Sequence, residues 1–174
     1  RTCLATSDPD SFAIAELLMK HPVFREHGPA HHLLVAPVIL AALRNQGCPV
    51  KESSIRTALH RMKDIPVAVC GTRGDCGAAV GAGCAVSLLT GATFRSDSER
   101  SLALRATAHA LTRVADLGGP RCCRQSVYGA LEASGQFLNN ELGVALVVPD
   151  PIRCSFSRVT EECKQERCAY FRED

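Results

Sequence analysis

Residues 70–93, CGTRGDCGAAVGAGCAVSLLTGAT, constrain this chain more than any other stretch, because three thiols and six glycines share two dozen positions. Gly71, Gly74 and Gly77 predict a loop that bends tightly and lets a ligand approach its backbone. Residues 78–89 are apolar and small, and predict a buried helix. Gly77, Gly81 and Gly83 each weaken that helix by roughly 1 kcal/mol against Ala, so a neighbouring helix or a ligand must come close to its backbone. Cys76 then falls at the helix N-terminus, where orphan N–H groups and the positive end of the macrodipole favour a thiolate. Tight packing alone explains the small residues but leaves Cys70 and Cys76, which flank the loop, without a role.

The other segments read as further helices. Pro9, Asp10 and Ser11 start one that carries Phe12, Ile14, Ala15, Leu18 and Met19 and ends at His21-Pro22. The turn FREHGPAHH follows. Residues 33–44 are strongly apolar, and Pro37 inside them predicts a kink or a second start. Ile55, Ala58, Leu59 and Met62 recur at helical spacing ahead of Pro66. Beyond Ser96 or Asp97, either of which can cap, Leu102, Ala106, Ala110, Leu111, Val114 and Leu117 share one face until Gly118-Gly119-Pro120. A last helix, roughly 125–138, leads into GVALVV, a short strand or an extended edge. Strands do not alternate with helices, so the expected fold is all-α. The expectation is one compact helical domain, 1–174, around the Gly/Ala-rich helix, with a short extended segment and a cysteine-bearing tail.

A chain of 174 residues that is 46% hydrophobic can bury a sizeable core. Ten cysteines are then disulfides, metal ligands or buried thiols. Disulfide frameworks belong mostly to small secreted domains with poor cores, and RTCLATSDPD is no export leader, which sets the expectation of a cytoplasmic location. The adjacent pair Cys122 and Cys123 also fits a simple disulfide network badly. No apolar run approaches roughly 18 residues, so no membrane span is expected. A net charge of +2 and 5% aromatic residues without Trp argue against a nucleic-acid partner.

Chemistry gathers at three further places. In HGPAHH, His27, His31 and His32 stand around a Gly-Pro turn, as general bases, metal ligands or plain turn histidines. In GGPRCCRQS, Arg121 and Arg124 flank Cys122 and can depress a thiol pKa or hold an anion, unless the thiols are simply buried. The tail CSFSRVTEECKQERC carries Cys154, Cys163 and Cys168 with little apolar sequence to hide them, so a metal that folds the tail is the economical expectation. Zinc favours a CxxC pair, which is absent, whereas an iron-sulfur cluster tolerates irregular spacing.

Taken in order, HGPAHH, CGTRGDCGAAVGAG with SLLTGAT, GGPRCC and the three tail cysteines resemble a family of small cysteine-rich domains of unknown function from anaerobes and methanogens, sometimes found beside methyltransferases. The resemblance runs over about residues 18–171. It departs at Arg124-Gln125, where the family pattern has Lys-Arg, and at Ala169, where it has Pro. More distantly, GDCGAAVGAGCAVSLLTG and GPRCCRQSVYGAL are similar to two segments in the α domain of iron-sulfur L-serine dehydratases. That resemblance implies a 4Fe-4S cluster, with Cys76 and Cys122 as ligands and an open iron acting as a Lewis acid on a substrate hydroxyl. The family's middle cysteine has no counterpart in residues 114–119, which leaves the tail thiols as candidates for the third ligand.

Two functions compete on this basis. In one, an open cluster on Cys76, Cys122 and a tail cysteine eliminates water or hydrogen sulfide from a small anionic substrate, Arg73 or Arg124 grips the carboxylate, and His31 or His32 moves the proton. In the other, the chain is a non-catalytic iron-sulfur module that passes electrons, sulfur or metal to a partner redox enzyme or methyltransferase. Cys70 and Cys123 complete the metal-ligand candidates, with a zinc-stabilised interaction domain as the third alternative and a homodimer left open.

Overall fold

The computed structural model describes residues 1–24 and 27–172; Arg25 and Glu26 of the FREHGPAHH turn lie outside the described residues. Among the described residues eight α-helices follow one another: α1 Thr2–Ala5, α2 Ser11–Met19, α3 Val35–Asn45, α4 Glu52–Met62, α5 Val69–Thr72, α6 Gly77–Thr90, α7 Ser98–Asp116 and α8 Cys123–Leu142. Short 3-10 turns at Pro29–Leu33 and Gln165–Arg167 complete the order. The all-α expectation holds, and the GVALVV segment is an extended edge with one parallel bridge, Val147 to Asp10. No described helix is long and apolar enough to cross a membrane.

Local chemistry accounts for most boundaries. The Asp10 carboxylate caps α2 by accepting the N–H groups of Phe12 at 2.7 Å and Ala13 at 3.2 Å. Pro37 falls in the first turn of α3, where its missing N–H costs nothing, so the apolar run starts late rather than kinking. Helices α6 and α8 end on left-handed Gly91 and Gly143, whose positive φ a side chain would strain. Helix α8 begins two residues before the expected start and ends four after the expected end of the 125–138 reading, because Cys122 caps it and Gly143 closes it. The glycine-rich loop is also more ordered than its composition suggests, since 69–72 form one helical turn, α5.

Helix α6 is the hub of the fold, packed against α3, α4, α7, α8 and the Pro29–Leu33 turn. Its missing side chains set the distances: a Cβ on Gly81 would stand 2.9 Å from Val35 Cβ on α3, and one on Gly83 would meet Thr107 and the Ala103 carbonyl on α7. The predicted buried helix, α6, is nonetheless less buried than α3. Every residue of 35–43 in α3 is buried, whereas α6 leaves Ser87 to Thr90 half-buried, because α3 is covered on all sides while α6 runs out to the surface at its C-terminal end.

Candidate metal centre

Both thiols singled out by sequence sit at helix N-termini at one end of the bundle, Cys76 as the N-cap of α6 and Cys122 as the N-cap of α8. The Cys122 Sγ accepts the Gln125 N–H at 3.5 Å. Its neighbour Cys123 occupies the first helical position, and the two side chains part company. Cys122 lies in the field of Cys168 and Arg124, whereas Cys123 lies in that of Cys76 and Cys70 and takes a hydrogen bond from the Gly28 backbone.

The tail folds back onto this end as a loop, closed where the Cys154 N–H donates to the Tyr170 carbonyl at 2.7 Å. Phe156, Thr160, Lys164 and Tyr170 are the buried residues of the described tail, and Cys154, Cys163 and Cys168 stay half-buried beside them. Within the loop the Phe156 N–H donates to Cys154 Sγ at 3.4 Å and the Gln165 N–H to Cys163 Sγ at 3.5 Å. Gln165 holds φ 51°, a left-handed conformation that costs a non-glycine residue about 1–2 kcal/mol. Cys122, Cys154, Cys163 and Cys168 together line one narrow pocket of about 20 Å³, with Arg124 and Lys164 in its wall. Three of these four sulfurs thus accept a backbone N–H two or three residues further on.

The HGPAHH turn covers the same region. His31 is buried, and its Nδ1 reaches only a carbonyl, that of Gly28 at 3.2 Å, so Nδ1 carries the proton and Nε2 keeps a bare lone pair. Burial pushes its pKa down to about 4, against the pull of that carbonyl and with help from Arg124, so the ring is neutral at pH 7. His32 is also pushed down by burial, against the Ile65 backbone and Asp75. His27 Nε2 lies 3.2 Å from Glu162 and ties the turn to the tail loop. Among the described residues, the buried side-chain atoms without a hydrogen-bond partner are His27 Nδ1, His31 Nε2, His32 Nδ1, Asp75 Oδ1 and Arg124 Nε. All of them fall within the motifs singled out by sequence, which marks this end as polar and incompletely satisfied.

Two expectations about charge are corrected here. Burial raises the pKa of Cys122, Cys123 and Cys154, outweighing the backbone amides and, at Cys122, the Arg124 guanidinium that pull it down. Arg73 is exposed and paired with Asp75, whereas Arg124 is buried. Cys70 is exposed and shares with Cys76 and Cys122 a wide, open cavity of about 770 Å³ on the far side of Cys122 from the tail pocket. The four pocket sulfurs do not close a coordination sphere: among the described residues, no three His, Cys, Asp or Glu side chains are placed to hold a metal ion.

Several residues that shape the site escaped sequence reasoning. Glu16 on α2 accepts the Tyr128 hydroxyl at 2.7 Å and the Ser155 N–H and Oγ–H at 3.1 and 2.8 Å, pinning the tail to the bundle. Lys164 donates to the carbonyls of Leu117 and Gly118, each at 2.8 Å. Glu16 lies on a predicted helix and Lys164 in a charged run, and no local signal separates either from a surface charge. Tyr128 at mid-helix was the one available hint, since a phenol on a core face needs a partner.

One family model matches the chain along nearly its whole length. The chain belongs to DUF5714, a family of unknown function. The match runs over residues 1–171, so the helical bundle and the tail loop both belong to the family's common pattern. No curated protein and no solved structure matches the chain.

Proposed function

We propose that this DUF5714 domain holds an iron-sulfur cluster on Cys122, Cys154, Cys163 and Cys168 and serves a partner enzyme as a non-catalytic carrier of electrons, sulfur or metal. The observation that carries the reading is the convergence of four thiols on one pocket, three of them already accepting backbone N–H groups. Ligand residues this arranged are otherwise hard to account for in a tail held by a strained left-handed Gln165. A bound cluster supplies one-electron and sulfide chemistry. The chain's own part is to draw the four sulfurs inward, release the protons that burial keeps on Cys122 and Cys154, and exclude water with Tyr128, Phe156 and Tyr170. Four protein thiolates leave no coordination position for a substrate, which favours the carrier over the lyase.

Two narrower readings each have one observation behind them. A single zinc or iron ion is favoured by the 20 Å³ of the pocket as it stands, the room of about one water; a cube needs the tail loop to stand off. An open-cluster lyase on Cys76, Cys122 and a tail thiol is favoured by the bare, buried Nε2 of His31, which suits a proton acceptor. The test is anaerobic purification with assays for iron, acid-labile sulfide and zinc and a visible spectrum. Brown protein with iron and sulfide in equal amounts, lost in C154S, C163S and C168S alike, is the expected result. Colourless protein with stoichiometric zinc refutes the cluster in favour of the single ion. Turnover of small hydroxy- or thio-carboxylates that vanishes in H31Q, with iron retained, refutes the carrier.

A further inference from the structure

Four thiols line a pocket of about 20 Å³, the room of roughly one water, and a bond between two of its sulfurs can close a space that small. Cys122 stands in the middle of the group: it lies in the field of Cys168, and Cys154 lies in the field of Cys122. The tail thiols differ in how their sulfurs are held. Cys154 Sγ and Cys163 Sγ are each engaged by an amide of their own loop. Cys168 is tied through its backbone instead, its N–H donating to the Gln165 carbonyl at 2.7 Å and its carbonyl accepting the Phe171 N–H at 3.0 Å. Cys122 and Cys168 both sit in extended backbone, at φ −144° and −98°, one just before α8 and one just after the Gln165–Arg167 turn. Their side chains can therefore turn towards each other without breaking a helical hydrogen bond. Pairing of Cys122 with its neighbour Cys123 is strained, and the two side chains already part company.

We propose that Cys122 and Cys168 form a reversible disulfide that locks the tail loop onto the start of α8, so that the fold responds to the thiol–disulfide balance around it. In the reduced chain the loop is attached by polar contacts, through Glu16 to α2 and α8 and through Lys164 to the end of α7. The bridge adds a covalent tie where the loop meets α8. Both thiols are half-buried, within reach of a small oxidant. The step is exchange with a low-molecular-weight disulfide: one protein sulfur, as thiolate, attacks it, releases one small thiol and forms a mixed disulfide. The second protein sulfur then displaces the other small thiol. Two protein thiols are oxidised, the small disulfide is reduced to two thiols, and the two protons pass from the protein sulfurs to the leaving thiolates. The pairing belongs to the metal-free chain and does not rest on the centre proposed above, with which it competes for two of the four sulfurs.

The full chain, stripped of metal with a chelator and reduced, is incubated with oxidised glutathione; free thiols are alkylated and the bridge is located by peptide mass spectrometry. The expected product is a chain lighter by two hydrogens, with Cys122 linked to Cys168. Its melting temperature should rise by about 5–10 °C over the reduced chain, because the bridge closes a long loop. Proteolytic cleavage within residues 153–170 should slow on the order of 10-fold, and dithiothreitol should reverse both effects. C163S should keep the bridge and the protection, whereas C168S should lose both. Cys122 recovered free, capped by glutathione, or joined to Cys123, Cys154 or Cys163 overturns the pairing. A Cys122–Cys168 bridge that leaves cleavage unchanged overturns the lock. Iron and zinc uptake are read on the reduced chain, so their absence refutes the centre and leaves the pairing standing.

Discussion

Gly77 and the His32 imidazole compete for one volume, since a Cβ on Gly77 would stand 2.3 Å from His32 Cγ. Gly77→Ala must therefore push the HGPAHH turn away from α6, and should destabilise the fold by about 1–3 kcal/mol in chemical denaturation. Gly71→Ala, with nothing within 4 Å of the added methyl, is the control and should stay within about 0.5 kcal/mol of wild type. His31 gives the fold a pH dependence of known sign. Its pKa drops from 6.5 in the unfolded chain to about 4 in the fold, so between those values the unfolded chain holds a proton that the folded one refuses. Its contribution is fully present above pH 6.5 and declines as pH falls towards 4, by about 3 kcal/mol at most. His31→Leu should flatten that part of the stability profile, and an unchanged slope would show that other groups set it. The sequence singled out His31 and His32 together, but their surroundings differ only on folding. Burial and the Gly28 carbonyl decide which nitrogen of His31 is bare, and neither can be read from HGPAHH.

At the level of elements, Cys122 caps α8 and, in the proposed function, is also a metal ligand, and mutation separates the two. As the N-cap of α8 it offers a sulfur to the Gln125 N–H, and a serine hydroxyl performs that task at least as well. Metal-free C122S should then match wild type within about 0.5 kcal/mol, and C122A should fall about 1 kcal/mol below C122S, in urea titrations. Loaded protein should behave differently, with both variants losing the metal. Equal metal retention in C122S would remove Cys122 from the ligand set. Helix positions were largely legible, because apolar spacing, the Asp10 cap and the closing glycines are local signals. The divergence of Cys122 from Cys123 followed from helical geometry, but the partner of each did not. That depends on α6 and the tail loop arriving on opposite sides of the α8 N-terminus.

For the molecule as a whole, the tail loop is attached through a few buried polar contacts rather than through a helix of its own. Glu16 makes three of these contacts, so Glu16→Ala should leave the Tyr128 hydroxyl buried without an acceptor and cost about 1–3 kcal/mol. Limited proteolysis should then cut within residues 153–170 faster than in wild type while the helical body survives; unchanged cleavage would mean the loop is held elsewhere. Residue pattern alone determined the all-α class, the helical hub at α6 and the four motifs that gather chemistry, because periodicity, small-residue runs and caps act over a few positions. Only the tertiary structure decided that Phe156, Thr160 and Tyr170 anchor the tail, that Lys164 is an interior charge and Glu16 a half-buried one, that Arg73 faces solvent while Arg124 faces in, and that four particular thiols share a pocket. The reason is physical: desolvation and charge pairing depend on what packs around a group, and those neighbours come from residues more than a hundred positions away, as Glu16 and Ser155 do.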